Sequence, residues 1–243
     1  MPTWIWRRPP LLKEVEIRPG LSLQSDSRFF PLTQDSVLLA DFAAPQLRGC
    51  GLDLGIGQGF LAALTLLRAP KVTLEGLELV PEAAALAQSN LCRAGFSVPV
   101  TVGDLRALPA FMNGRYDFCL CNPPYFEAAR GQISSGALGQ ARSDAGASIQ
   151  EVCFAANRLL KTGGRFYLCF PAARLAALFF ALEQMRFAPK RLRAVQETAA
   201  APAKLVLLEA RKQGGEGLTL LPPLLLREEN GDPSPEYRRI YEV

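Results

Sequence analysis

The chain contains no histidine. That absence removes the side chain that most often acts as a general base near neutral pH, and with it the commonest nitrogen ligand for a metal. The six cysteines, Cys50, Cys92, Cys119, Cys121, Cys153 and Cys169, include no Cys-x-x-Cys pair. Without histidine to complete a ligand set, this spacing argues against zinc, and no metal is expected. Most of these thiols fall in apolar runs, where a free cysteine behaves as a small buried hydrophobe kept reduced by its compartment. No apolar run reaches the roughly eighteen residues of a membrane helix, and the first residues lack the apolar core of a secretory signal. A cytoplasmic location with no membrane partner is therefore expected.

What remains is the composition of an ordinary globular protein: 243 residues, 49% hydrophobic and 21% charged. That length fits one α/β domain spanning 1–243. Apolar runs at Gly49–Leu54, Val72–Leu79, Val98–Val102, Tyr116–Cys121, Arg165–Phe170 and Lys204–Ala210 read as strands, with a weaker one near Leu192–Val195. Between them Ser36–Phe42, Phe60–Leu67, Pro81–Ala94, Ile149–Leu160 and Ala172–Met185 carry helical patterning. Pro81 suits a first turn, Gly95 a stop, and Lys161–Gly164 closes one helix before the next strand. Strand and helix alternate, and the strands are continuously apolar, which predicts a mostly parallel seven-stranded sheet covered by helices on both faces. Residues 1–34 form an extension with short strands near Glu14–Ile17 and Leu21–Gln24, and either Asp35 or Ser36 caps the helix that follows.

The most informative stretch is Asn122-Pro123-Pro124-Tyr125, at the end of the run Tyr116–Cys121. Consecutive prolines donate no backbone hydrogen bonds and have a fixed φ, so the chain leaving the strand becomes a stiff rim of carbonyl acceptors. An amine attached to a flat ring has two hydrogens to donate. The Asn122 side-chain oxygen and the Pro123 carbonyl can accept both, and no strong base is then required. A plain strand stop would carry the same residues. Position favours the chemical reading, because ligands of open α/β sheets sit beyond the carboxyl ends of the strands.

Three further strand ends carry acceptors. Asp53 precedes Gly55-Ile56-Gly57-Gln58-Gly59, whose glycines let a ligand approach the backbone. Phe60 stands where the Gly-x-Gly-x-x-Gly of dinucleotide enzymes needs its last glycine. An acid just before the loop suits a cofactor with a cationic amino-acid end better than a pyrophosphate. Glu78, about twenty residues beyond the loop, is placed to accept ribose hydroxyls. Asp104, after Val98–Val102, is placed to accept from an adenine amino group. Thr33, Gln34 and Asp35 are candidates for covering the amino-acid end of the cofactor. Each acid alone also reads as a solvated loop residue, but together they mark one cleft.

The segment 127–147 is long and rich in Gly, Ser and Ala, so it reads either as a lid over the substrate or as a disordered loop. Tyr125 and Phe126 are candidate apolar walls for the substrate base, and Arg130 and Arg142 are candidate phosphate contacts. Arg186, Lys190, Arg191 and Arg193 form an acid-free basic run, with Arg238 and Arg239 near the C-terminus. Gathered on one face, these would neutralise backbone phosphates; scattered, they would be solvated surface. Trp4 and Trp6 beside Arg7 and Arg8 are candidates for stacking on the same surface.

The glycine loop and Asn122–Tyr125 resemble the S-adenosylmethionine-dependent amino-methyltransferases. The flanking stretches Arg28-Phe29, Gln34–Phe42, Ala141-Arg142, Lys161–Arg165, Lys204–Ala210, Pro222–Leu224 and Glu236-Tyr237 are similar to the bacterial tRNA (adenine-37) N6-methyltransferases. The chain departs from that pattern at Ser143-Asp144, where His-Glu is usual, and at Gln58, where Ser or Thr is usual. The resemblance implies a Rossmann-like S-adenosylmethionine-dependent methyltransferase fold, S-adenosyl-L-methionine as cofactor and tRNA as partner. It implies catalysis by Asn122, Pro123, Pro124 and Tyr125, and cofactor binding by Gln34, Asp53, Gly55, Gly57, Gly59, Glu78, Asp104 and Asn122. Guanine-N2 methylation of ribosomal RNA, methylation of a protein glutamine, and an inactive RNA-binding module are the alternatives.

Overall fold

A computed structural model describes residues 12–123 and 147–242. Seven strands form the body of its sheet: β3 (Cys50–Leu54), β4 (Thr73–Glu78), β5 (Val100–Val102), β6 (Tyr116–Cys121), β7 (Leu160–Pro171), β8 (Phe187–Gln196) and β9 (Leu205–Lys212), in the order β8-β9-β7-β6-β3-β4-β5. Only β9 runs against its neighbours. Two short strands, β10 (Thr219–Leu220) and β11 (Leu224–Leu225), add to the outer edge of β8, so the sheet has nine strands where seven were expected. Strands of two residues carry no sequence periodicity of their own.

The strands alternate their side chains between two cores. Phe118, Leu120, Tyr167 and Cys169 point to one face, under α1 (Gln34–Ala43), α2 (Phe60–Arg68) and α3 (Pro81–Arg93). Tyr116, Cys119, Cys121, Phe166 and Leu168 point to the other, under α4 (Ile149–Leu159) and α5 (Leu175–Gln184). A final helix, α6 (Pro235–Tyr241), inserts Ile240 into the first core and was not foreseen. Ser148 caps α4 through a reciprocal capping box with Glu151.

Three local expectations are corrected. Neither Asp35 nor Ser36 caps α1: its cap position is Thr33, whose side chain makes no capping bond because it is engaged elsewhere. Lys161–Gly164 is not a loop, because β7 begins at Leu160, directly after α4, and absorbs Gly163 at a φ of +76° as a bulge against β6. The weak strand at Leu192–Val195 is a ten-residue strand, Phe187–Gln196, which tolerates Pro189 at a register shift.

Strands β1 (Leu12–Arg18) and β2 (Leu21–Asp26) form a separate antiparallel hairpin. Fully buried Asn90 of α3 holds it: Asn90 Oδ1 accepts from the Gln24 amide (2.8 Å), while Nδ2 donates to the carbonyls of Gln24 (2.8 Å) and Gln58 (2.9 Å). Gln58 completes the lock, accepting from the Asp26 amide (2.6 Å) and donating to the Phe30 carbonyl (2.6 Å). Gln58, one of the departures from the resemblance noted in the sequence, thus ties the hairpin to the glycine loop. Asn90→Ala should lose about 2 kcal/mol of stability, because it strands buried backbone groups. Chemical denaturation measures this, and a change under about 0.5 kcal/mol would contradict the lock.

Candidate active site

The parallel strands end at one edge of the sheet, and there a cleft of about 420 Å³ opens. Its wall includes Asp53, Gly55, Gly57, Glu78, Asp104, Asn122 and Pro123. Asp53, Glu78, Asp104 and Asn122 therefore lie around one cavity. Gly59 takes a φ of +89° at the start of α2, where a Cβ would press to 3.3 Å from the Ala87 backbone. Gly55 and Gly57, by contrast, would put a Cβ into open space on the cavity side. Gln34 begins α1 and is not among the residues lining the cleft; its neighbour Ser36 is. Pro124, Tyr125, Phe126, Arg130, Arg142 and nearly all of the expected lid lie outside the described residues, as do Trp4 and Trp6.

Each carboxylate has its own electrostatic setting. Asp53 is 1% exposed, and neither of its side-chain oxygens has a hydrogen-bond partner. Burial, and then the charge of Glu78, push its carboxyl up to about 8 against a weaker opposing pull from the Ala62 amide, which lies outside hydrogen-bond geometry. Glu78 is already braced, Oε2 accepting from the Gly57 amide (2.9 Å) and Oε1 from the Val80 amide (2.9 Å). Asp104 accepts from the Arg106 amide (2.9 Å) and faces the Arg106 guanidinium at 2.7 Å, and that partner holds its carboxyl below the usual range. An unpartnered buried carboxylate facing a cavity is what a ligand ammonium would satisfy. Apolar Phe29, Phe30, Leu79 and Val80 beside Glu78 offer walls for a flat ring. The residues present thus fit S-adenosylmethionine: Asp53 is the residue that would hold its ammonium, and Glu78 and Asp104 are those that would hold its nucleoside.

Asn122 is mounted from two sides. Its Nδ2 donates to Ser36 Oγ (3.0 Å) and Thr33 Oγ1 (3.3 Å), both on the N-terminal turn of α1, and its Oδ1 accepts from Cys169 Sγ (3.1 Å) on β7. Cys121 Sγ in turn donates to the Leu54 carbonyl (3.2 Å), fastening β6 to β3 just below the glycine loop. Sequence reasoning did not find Ser36 or Cys169. They are separated from Asn122 by 86 and 47 residues, and nothing local marks them. The carbonyl oxygen keeps a second lone pair for a substrate amine.

Two of the four cations in the basic run, Arg191 and Arg193, are neutralised within the chain. Arg191 pairs with Glu209 (3.1 Å) and lies over the Phe42 ring; Arg193 is bidentate on Glu236 (2.8 and 2.7 Å). Lys190 donates to the backbone carbonyls of Gly215 and Glu216. Arg186 and Lys190 sit at the N-terminal end of β8, the sheet edge opposite the cleft. Arg239 is held by Asp41 at 3.1 Å.

The methyltransferase small-domain family model matches residues 33–177. The chain is 28% identical over 220 residues to a tRNA1(Val) (adenine(37)-N6)-methyltransferase of Porphyromonas gingivalis, covering 86% of each. It is 35% identical over 109 residues to a release factor glutamine methyltransferase of Bordetella pertussis, covering 43% of this chain and 40% of that one. The crystal structure of a predicted O-methyltransferase from Agrobacterium tumefaciens superposes with a TM-score of 0.70 at 20% identity, covering 86% of this chain and 95% of that one. At that identity the likeness concerns the fold.

Two outcomes follow from this geometry. In the ligand-free protein, Asp53 binds its proton more tightly folded than unfolded, so its contribution to stability is complete below its ordinary value of 3.8 and is lost as pH rises toward about 8. The melting temperature of Asp53→Asn relative to wild type should therefore climb by several degrees between pH 5 and pH 8, while its cofactor affinity falls roughly tenfold or more. A difference independent of pH would contradict the unpaired carboxylate. Removing the mount of Asn122 with the double variant Thr33→Val, Ser36→Ala should lower turnover about tenfold to a hundredfold and leave cofactor affinity within about twofold. Equal losses in both would contradict a positioning role.

Proposed function

Because the chain belongs to the methyltransferase small-domain family, we propose that it methylates the N6 amino group of adenine in RNA, at tRNA position 37 beside the anticodon, using S-adenosylmethionine. The observation that carries this reading is the Asn122 carboxamide, fixed at the end of β6 on the wall of the cavity that also holds the unpartnered Asp53 carboxylate. The likeness to the tRNA (adenine-37) enzyme over most of both chains supports the choice of base and of RNA. The hairpin lock and the strands beyond residue 177 support treating residues 1–243 as one working unit.

S-adenosylmethionine, when bound, supplies a methyl group already activated for transfer to a neutral nitrogen. The chain supplies position. Asn122 Oδ1 and the Pro123 carbonyl accept the two amine hydrogens, which draws lone-pair density out of the ring onto the nitrogen and aims it into the cavity. Thr33 and Ser36 hold the carboxamide nitrogen and fix the plane of the amide, so little reorganisation is needed at the moment of reaction. A base in a tRNA loop is reached by swinging it out of its stack. The methylated nitrogen would be strongly acidic and would release its surplus proton to water, so no general base is required of a chain without histidine.

Incubation with methyl-labelled cofactor and total RNA, followed by nucleoside mass spectrometry, tests this reading. Label should appear as N6-methyladenosine in the tRNA fraction, and Asn122→Ala should reduce it by more than about a hundredfold while still binding cofactor. Label confined to N2-methylguanosine or to protein glutamine would overturn the assignment.

A further inference from the structure

The rim of the cleft is electrically lopsided. On the side of the glycine loop its cations are neutralised within the chain: Arg28 lies 2.5 Å from Asp26, and Arg106 lies 2.7 Å from Asp104. On the side of Asn122 neutralisation is incomplete. Strand β7, which carries Cys169 to Asn122, runs on to Pro171 and into the tight turn Ala172–Arg174. Arg174 is exposed, its guanidinium rests 5.3 Å above the Phe170 ring, and among the described residues it forms no ion pair. The next strand in the sheet, β9, starts beside it: Leu205 pairs with Pro171, and the Ala172 amide donates to the Lys204 carbonyl at 3.0 Å. The Lys204 side chain is 77% exposed, and its contact with Glu197 is loose at 3.9 Å. Arg227 already holds Glu197 at 2.9 Å. The turn after β7 and the residue before β9 thus present one unpaired and one loosely paired cation at the edge of the sheet where Asn122 and Pro123 stand.

Building on the RNA reading above, we infer that Arg174 and Lys204 form the phosphate-binding ledge for the RNA strand carrying the target base. A base turned toward Asn122 leaves its own phosphates outside the cleft. The neutralised glycine-loop rim offers them no net charge, whereas the β7/β9 rim does. The guanidinium of Arg174, lying over an aromatic ring, retains donors for bidentate contact with phosphate oxygens.

The test compares two double variants of the full chain, Arg174→Ala with Lys204→Ala at the cleft edge and Arg186→Ala with Lys190→Ala at the opposite edge. Their binding to unmodified tRNA is read by fluorescence anisotropy across a salt series. The first pair should weaken binding about tenfold and make the slope of log affinity against log salt shallower by about 1.5, with cofactor affinity and melting temperature unchanged. Arg174→Lys should keep the wild-type slope, since the charge remains. The second pair should bind as wild type does. Unchanged affinity in the first pair, loss in the second, or a wild-type chain that does not bind RNA would overturn the ledge. Binding that depends on the ledge without any methylation of RNA would instead refute the proposed reaction and leave the ledge standing.

Discussion

The carboxamide of Asn122 bridges two parts of the chain that have no local reason to meet. Its nitrogen is held by hydroxyls on the first turn of α1 and its oxygen by a thiol on β7. This mount fixes the direction of the oxygen and closes the cleft between α1 and the end of β6. An amide on a free rotor would present donor and acceptor at random, and its preference for an amine would be lost. Mounted, it selects a ligand with hydrogens to give.

The cofactor side is built on a complementary deficit. Asp53 is buried without a partner, a costly state for a carboxylate, and its raised proton affinity is the sign of that cost. A bound ammonium removes the penalty, so part of the binding energy is stored in the ligand-free protein. Glu78 is different: two backbone amides already hold it, so it is oriented before any ribose arrives. On the proposed function, one carboxylate waits for charge and the other for hydroxyls.

The sheet and its two layers of helices were legible because continuous apolar strands alternating with amphipathic helices admit few other arrangements. The positions of Asp53, Glu78, Asp104 and Asn122 were legible for a related reason: each polar residue interrupts an apolar run at its end. What stayed hidden depends on contacts distant in sequence. Ser36 looks like a helix cap and Cys169 like an ordinary core position, and the bonds of Asn90 to Gln24 span 66 residues. The basic run on β8 misled because Arg191 and Arg193, two residues apart and so on one face of the strand, are met there by Glu209 and Glu236 from elsewhere in the chain. Strand β8 itself was underestimated because Pro189 and its alternating charges break the apolar signal, and β10 and β11 exist only as neighbours of β8.

If a flat amine and a cationic amino acid are to meet across this cleft, both anchors must be seen in use at once. A crystal structure of the protein with S-adenosylhomocysteine and an adenine-containing RNA hairpin measures this directly. The account requires the ligand's ammonium within hydrogen-bond distance of Asp53 and the adenine N6 on the Asn122 oxygen, with the nitrogen of that carboxamide still on Ser36. A base bound away from Asn122, or a carboxamide turned so that its nitrogen faces the base, would contradict it.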